Sequence, residues 1–309
     1  MQTTAPDTPD TPDTVDTPDT VDAPDTLDVE LAGIDALDVP IAAAPGRARR
    51  TWSTTWPKLL ATGILLLLWQ AVVWLGLKPT YVLPGPVPVF KQLLTDLDNG
   101  VLLRAARTTM ERAIVGYAMA VLIGSIVGIA VARSRVTRAA VGSLITGLQT
   151  MPTIAWFPLA ILLFGLNESA ILFVVVLGAA PAIANGVIAG VDHIPPLQLR
   201  AGRVLGARGI ALYRHVIVPA SLPGYVAGLK QGWAFAWRSL MAGELLVIIA
   251  KRPSLGVRLE FARTNSDAPA LLAAMVVILI IGIIVDSVFF GRLERAIRHR
   301  WGLVDAASS

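Results

Sequence analysis

The 309-residue chain contains no cysteine, which excludes structural disulfides, thiolate metal sites and cysteine nucleophiles. Histidine is nearly as scarce. His193, His215 and His299 are scattered, and no two have metal-ligand spacing on one helix. No GxxxxGKS or GxxxxGKT loop occurs, so the chain has no phosphate cradle with which to bind ATP by itself. No GxSxG elbow is present either, which leaves serine hydrolase chemistry without its usual carrier. Charge is thin, at 16% of residues, against roughly 25% in soluble domains. Together these absences argue against an enzyme and against a cytosolic fold.

What is present is apolar. Hydrophobic residues make up 54% of the chain and the mean hydropathy is +0.64. Several runs reach the ~20 residues that span ~30 Å of hydrocarbon. These runs and their breakers predict an all-α integral membrane protein with about six transmembrane helices, at about 57–77, 109–132, 139–164, 168–190, 222–249 and 269–290. Between the first two lie a proline-rich stretch, "KPTYVLPGPVPVF", and a short amphipathic segment, "KQLLTDL". Residues 1–46 are another material, a near-tripeptide repeat, "PDTPDTVDTPDTVDAPDT", with eleven acidic residues and no basic one before Arg47. Recurrent proline, self-repulsion and little to bury predict a disordered acidic tail there. It has neither the basic start nor the apolar core of a signal peptide. A membrane domain at 47–302 and a short tail at 303–309 complete the expected organisation.

Six spans put both termini on one side, and cationic residues tell which. With the termini inside, the inner segments hold fifteen Lys or Arg residues and the outer segments nine; Lys230 and Arg238 fall within the fifth span. The turn at 133–138, with Arg133, Arg135 and Arg138, and the tail "GRLERAIRHRWG" carry the bias. Both termini are therefore expected in the cytoplasm, as is the stretch "RAGRVLGARGIALYRHVIVPASLPG", Arg200–Gly224. A helix over about 196–212, exposing Arg200 and Arg203, could dock into an acidic cleft of a partner. Gly206 and Gly209 would weaken or turn it, at up to ~1 kcal/mol each in a helix interior. Pro219 and Pro223 would set the approach to the next span. Spacing alone allows a solvated loop equally well.

The stretch resembles the cytoplasmic signature of ABC importer permeases: Glu-Ala-Ala, three residues, Gly, nine residues, Ile-x-Leu-Pro. Arg200, Ala201 and Gly202 stand at the Glu-Ala-Ala positions, Gly206 at the glycine, and Val216 and Pro219 in register at the end. Arg200 replaces the glutamate and Gly202 the second alanine, so the family's salt bridge to its ATPase would have reversed sign here. "YVLPGPVPVF", "MPTIAWFPLAILLFGLNES" and "WRSLMAGEL" resemble the nitrate, taurine and aliphatic-sulfonate branch, and the likeness covers about 57–300. It implies a type I ABC importer permease in the bacterial inner membrane, working as a homodimer. It further implies two cytoplasmic ATPase subunits, which would hold ATP-Mg, and an extracytoplasmic binding protein. No cofactor is implied for this chain. The helix from Leu197 would be the coupling helix, with Arg200, Ala201, Gly202, Arg203, Gly206, Ala207 and Pro219 forming the ATPase contact.

Charges inside a span are costly and mark functional candidates. Lys230, Arg238 and Glu244 lie in the fifth span, the first two eight residues apart, about 12 Å along one helix face. A path for an anion needs cationic or amide lining, which Arg238 would supply. An internal pair of Arg238 with Glu244 or Asp286 is the competing arrangement, and Lys230 near the inner end would snorkel. In the third span Gln149, Thr153 and Trp156 follow 4 and 3 spacing and so share one face. Pro152 and Pro158, however, suggest a broken helix. Packing through small and polar residues would equally account for those three, as for Gly116, Gly124 and Gly128. Asn185 and Asp192 read as caps or packing groups. Four functions remain open, of which three are transport: a permease for a small anion such as a sulfonate, taurine or nitrate; a permease for another solute such as bicarbonate or a thiamine precursor; and an ion-coupled secondary transporter using Arg238, Glu244 and Asp286 as a relay. A membrane scaffold recruited through the acidic tail is a fourth.

Overall fold

The computed structural model of the chain describes residues 47–300; the expectations for 1–46 and 303–309 lie outside them. The described residues fall into two units that part at Ile64 and Leu65, inside the first helix, α1 (Arg47–Trp74). The first unit contributes the start of α1, which carries Arg47, Arg49, Arg50 and Lys58 and in which Pro57 sits.

Helix α2 (Pro86–Asp98) begins on a proline in its first turn, where the missing N–H is no loss, and corresponds to the amphipathic segment. Gly100, at φ 63°, turns the chain into α3 (Val101–Arg133), 33 residues and about 50 Å long. Ser134 caps α4 (Arg135–Thr150) by accepting a hydrogen bond from the Thr137 amide at 3.4 Å. The span expected at 139–164 breaks after α4. Pro152 disfavours helical geometry at Met151, whose ψ is 129°, and a 3-10 turn over Thr153–Trp156 leads into α5 (Phe157–Phe164). The two arms meet at 101°. Pro158 lies in the first turn of α5, so it breaks nothing.

Asn167 caps α6 (Glu168–Asp192), its side-chain oxygen accepting from the Ser169 amide at 2.9 Å. A short helix, α7 (Pro196–Val204), follows. Ile210–Leu212 and a π-helical turn, Tyr213–Ile217, then lead into α8 (Val218–Leu246). The chain closes with α9 (Leu255–Thr264), α10 (Ala268–Ile284), a second π turn (Val285–Phe290) and α11 (Gly291–Arg300).

Among the described residues four helices are long and apolar enough to cross a bilayer: Thr55–Trp74, Val101–Arg133, Glu168–Asp192 and Ala268–Ile297. The bent pair Val136–Thr150 and Thr153–Phe164 makes a fifth if it counts as one span. The sequence suggests a sixth at 222–249. There α8 is 29 residues, about 43 Å, so length suffices. Its composition is more polar than a lipid-immersed helix allows, because it holds Lys230, Gln231, Arg238 and Glu244.

The core is built around α6, which packs between α3 and α8 and buries most of its length. With no hydrophobic drive between helices inside hydrocarbon, close van der Waals approach has to hold them together, and small residues permit it. On α3, Gly116, Gly124 and Gly128 face α6: a Cβ would lie 2.8 Å from Val175, 2.6 Å from the Ala180 carbonyl and 2.8 Å from Val187. The other seam is tighter. Gly186 and Gly190 of α6 meet Gly228 and Gly224 of α8 backbone to backbone, with no room for a Cβ on any of the four.

Candidate translocation site and coupling surface

Along α8, from Pro219 to Leu245, only Pro223, Ala227, Gln231, Ala234 and Arg238 are exposed. Their spacing of 4, 4, 3 and 4 places them on one face of the helix. Elsewhere the exposed apolar surface of the described residues is dominated by large side chains, chiefly Leu, Ile and Val with some Phe, Trp, Tyr and Met. Here it is a narrow strip of small and polar side chains. The Arg238 guanidinium lies 4.7 Å from the centre of the Phe235 ring, and its Nε donates to the Ala234 carbonyl at 3.1 Å. It forms no ion pair with another described residue, and neither Glu244 nor Asp286 approaches it. The internal pairings weighed for Arg238 are not formed.

Asp286 is taken by Lys230 instead, at 3.7 Å, with Glu294 of α11 at 3.5 Å from the same ammonium. Lys230 is half-buried in that double pairing, at the edge of the exposed strip, about 60° around α8 from its centre.

Glu244, a candidate for the path, is fully buried and bound on every side. Arg112 of α3 donates to one carboxylate oxygen at 2.9 Å. Thr109 and the Gly256 amide donate to the other at 2.9 and 3.0 Å. Arg112 also holds Glu168, the first residue of α6, through two bonds of 2.8 and 2.7 Å. Thr109 in turn accepts from the Leu255 amide at 3.0 Å, and Arg252 reaches Glu168 at 3.1 Å. Glu244 therefore does not line an open route; its carboxylate locks α3, α6, α8 and α9 together at one end. Sequence reasoning missed this lock. The available signal was three charges, Arg112, Glu168 and Glu244, each at the end of an apolar run and so in need of a partner. The resulting ties leave no free carboxylate on α8 for a proton relay with Arg238.

The expected common face of Gln149, Thr153 and Trp156 does not exist, because the bend at Pro152 separates Gln149 from the other two. Thr153 packs where Gly178 of α6 and Ser239 of α8 also meet. Trp156 lies against the main core. Gln149 keeps a buried Nε2 with no hydrogen-bond partner. Asp192 pairs with Arg138 of α4, a packing role. Among the described residues no group of three or more His, Asp or Glu side chains could hold a metal ion.

At the start of α8 lies the basic stretch. The helix expected over 196–212 stops at Val204, because Gly206 takes up φ +85°. Its amide donates to the Arg203 carbonyl at 3.1 Å and the Ala207 amide to the Gly202 carbonyl at 2.9 Å, a Schellman end. Gly209, at φ 54° and ψ −125°, turns the chain back toward α8. Gly202 is buried: a Cβ there would lie 2.8 Å from Val216, so the return segment leaves no space for alanine. Leu197, Ala201, Arg200, Arg203, Val204, Leu205, Arg208 and Ile210 face outward. Leu197, Val204, Leu205 and Ile210 are 75–87% exposed, an apolar surface fringed by arginines. Ala207 and Pro219 are half-buried behind it.

A glycine-capped basic helix projecting from a bundle of apolar spans is the shape that the signature predicts, and residues 120–299 match the family described as "Binding-protein-dependent transport system inner membrane component". The chain belongs to that family. Relatives agree. A probable ABC transporter permease protein of Brucella melitensis is 32% identical over 205 residues, 66% of this chain and 82% of that one. The taurine transport system permease protein of Escherichia coli is 29% identical over 72% of this chain and 82% of its own length. The riboflavin transport system permease protein of Chloroflexus aurantiacus is 30% identical over 85% and 97%. In fold, an inward-facing methionine ABC transporter matches 64% of this chain and 96% of its own with a TM-score of 0.55, at 22% identity. This protein is thus an ABC importer permease of the branch that includes the taurine permease, a multi-pass component of the inner membrane. Its relatives are named as permeases, not as ATPases.

Proposed function

We propose that this permease imports a small anion of the taurine or aliphatic-sulfonate kind, or nitrate, as one of two copies flanking a central path. A binding protein delivers the solute from outside, and two ATPase subunits drive the cycle from the cytoplasm, where both termini lie. The observation that carries the substrate class is Arg238. It is a guanidinium within α8, eight residues from the end of that helix and without a carboxylate partner among the described residues, on the strip of small side chains where α8 meets open space. A buried or lipid-facing arginine would need a counter-charge. One lining an aqueous route meets it in the solute, and guanidinium binds oxyanions bidentately. The paired Glu244 and Lys230 leave that strip with a net positive charge.

The α7 helix and the turn after it form the ATPase contact. From His193 to Gly243 the chain has no acidic residue, while Arg200, Arg203, Arg208 and Arg214 are exposed. The cleft that receives them is therefore acidic, the reverse of the polarity implied by a signature glutamate. Leu197, Val204, Leu205 and Ile210 fill its apolar floor.

The test uses the permease reconstituted with its ATPase and binding protein. Arg238→Gln should abolish the rise in ATP hydrolysis on adding loaded binding protein, while basal hydrolysis and complex mass stay unchanged. Stimulation at the wild-type level in that variant would take Arg238 out of the path.

A further inference from the structure

On the side of α8 opposite the Arg238 strip lies a groove of about 690 Å³. At 3.6 residues per turn, Val218, Ser221, Leu222 and Tyr225 of the groove lie on average roughly 170° around the helix from the mean of the strip. The groove is therefore not part of the proposed path. Its walls are Ile129 of α3, Val187 and Val191 of α6, and Ile210 and Ile217 of the segment that joins α7 to α8. Its inner end holds one polar pair, Ser125 and Tyr225, whose hydroxyls bond each other at 2.8 Å. Eight residues on, about 12 Å along α3, Arg133 closes the groove at the charged end of the bundle. Arg133 is exposed and has no ion pair among the described residues, whereas nearby Arg138 is held by Asp192.

We propose that this groove is a binding site for one anionic glycerophospholipid of the cytoplasmic leaflet, an acyl chain lying along Ile129, Val187 and Val191 and the phosphate on Arg133. A ligand must be long and apolar at one end and anionic at the other, and must arrive from the side of a membrane helix. A bilayer lipid meets all three demands. A polar solute meets mostly Ile, Val and Leu side chains there, with Ser125, Ser221 and Tyr225 already hydrogen-bonded within the protein, and a wholly apolar one leaves Arg133 unused. The inference goes beyond the transport function and has a consequence for it. Ile210, Tyr213 and Ile217 form one wall, so an occupied groove braces the joint through which α7 meets α8.

The experiment needs neither ATPase nor binding protein, so its failure is separate from failure of the transport proposal. The full-length chain is placed in nanodiscs of equimolar phosphatidylglycerol and phosphatidylcholine, released into mild detergent, and its retained lipids are counted by native mass spectrometry. Wild type should retain phosphatidylglycerol over phosphatidylcholine by about fivefold, the ratio given by about 1 kcal/mol from one interfacial cation. Arg133→Gln should erase the preference without changing the number of lipids retained, and Arg133→Lys should keep it. Ile129→Trp, at an exposed position, should expel the lipid of either kind at an unchanged thermal midpoint. Equal retention of the two lipids by wild type overturns the proposal, as does a preference that survives Arg133→Gln. If a second copy of the chain covers the groove instead, Ile129→Trp will split the dimer and leave the lipid count alone, which also overturns it.

Discussion

Replacing Glu244 with glutamine should destabilise the permease without altering its charge at the path. Both oxygens of the buried carboxylate only accept: Arg112 donates to one, Thr109 and the Gly256 amide to the other. Glutamine offers one acceptor and one donor, so its amide NH2 must face either Arg112 or the Thr109 and Gly256 donors. Each way round leaves opposed buried donors, at about 1–3 kcal/mol, and the loss of the ion pair adds to it. Removing one partner of a buried pair costs about 3–5 kcal/mol in general. Arg112 keeps its two bonds to Glu168, so the lower end, about 3 kcal/mol, applies. For a chain of this size about 1 kcal/mol corresponds to roughly 2–4 °C, which gives a fall in midpoint of about 6–12 °C. The assay is thermal unfolding of purified permease in detergent, at one heating rate because unfolding of such proteins is irreversible. The double variant Arg112→Met with Glu244→Leu removes both charges and fills the space, and should recover much of the loss. A Glu244→Gln midpoint within 2 °C of wild type, on the order of 1 kcal/mol or less, would show that the lock does not hold these helices together.

Gly206→Ala forces a side chain into φ +85° at a cost of about 1–2 kcal/mol, and should weaken ATPase pull-down while the bundle's thermal midpoint holds. Gly206→Pro cannot adopt that angle and loses the amide bond to Arg203, so it should abolish ATPase association outright. Gly228→Leu places a side chain against the backbone of Gly186; accumulation of the protein in membranes should collapse, read by immunoblot after membrane extraction. Lys230→Met breaks two half-exposed pairs worth under about 1 kcal/mol, and solute-stimulated ATP hydrolysis should stay near wild type.

Apolar runs and breakers made most of the bundle legible, because span length is set by bilayer thickness, a quantity outside the protein. The break at Pro152 could be read from its missing amide, and the packing role of Gly116, Gly124 and Gly128 from their size. Two features were not legible. The coupling helix reads as continuous to 212 by pattern, because propensity assigns Gly206 only ~1 kcal/mol; the decisive factor was the Schellman end, which needs the return segment to be in place. Likewise, Glu244 could not be separated from Arg238 by sequence, since both are charges on one polar helix. Which of them faces the core depends on the helix's rotation against α6, and that is fixed by the Gly186–Gly228 seam rather than by either charge.

That seam also bears on how a stroke at α7 would reach Arg238. Four glycines in backbone contact leave α6 and α8 almost no freedom to slide, since any shift drives one main chain into the other. The Arg112–Glu244–Glu168 ties pin the same two helices at the far end. By contrast the junction at 205–217 is built of Gly206, Gly209 and a π-helical turn, a geometry that is strained in long runs and common at hinges. Motion imposed on α7 therefore has two outlets, flexing of that junction or rotation of α6 and α8 as one body. Only the second moves Arg238. Coupled import accordingly requires the junction to be stiffer when the ATPase is bound than when it is free. Hydrogen exchange at 205–217 should slow on ATPase binding, while exchange along the glycine seam stays unchanged. Equal slowing in both segments would mean that the bundle itself, and not its hinge, is what the ATPase sets in order.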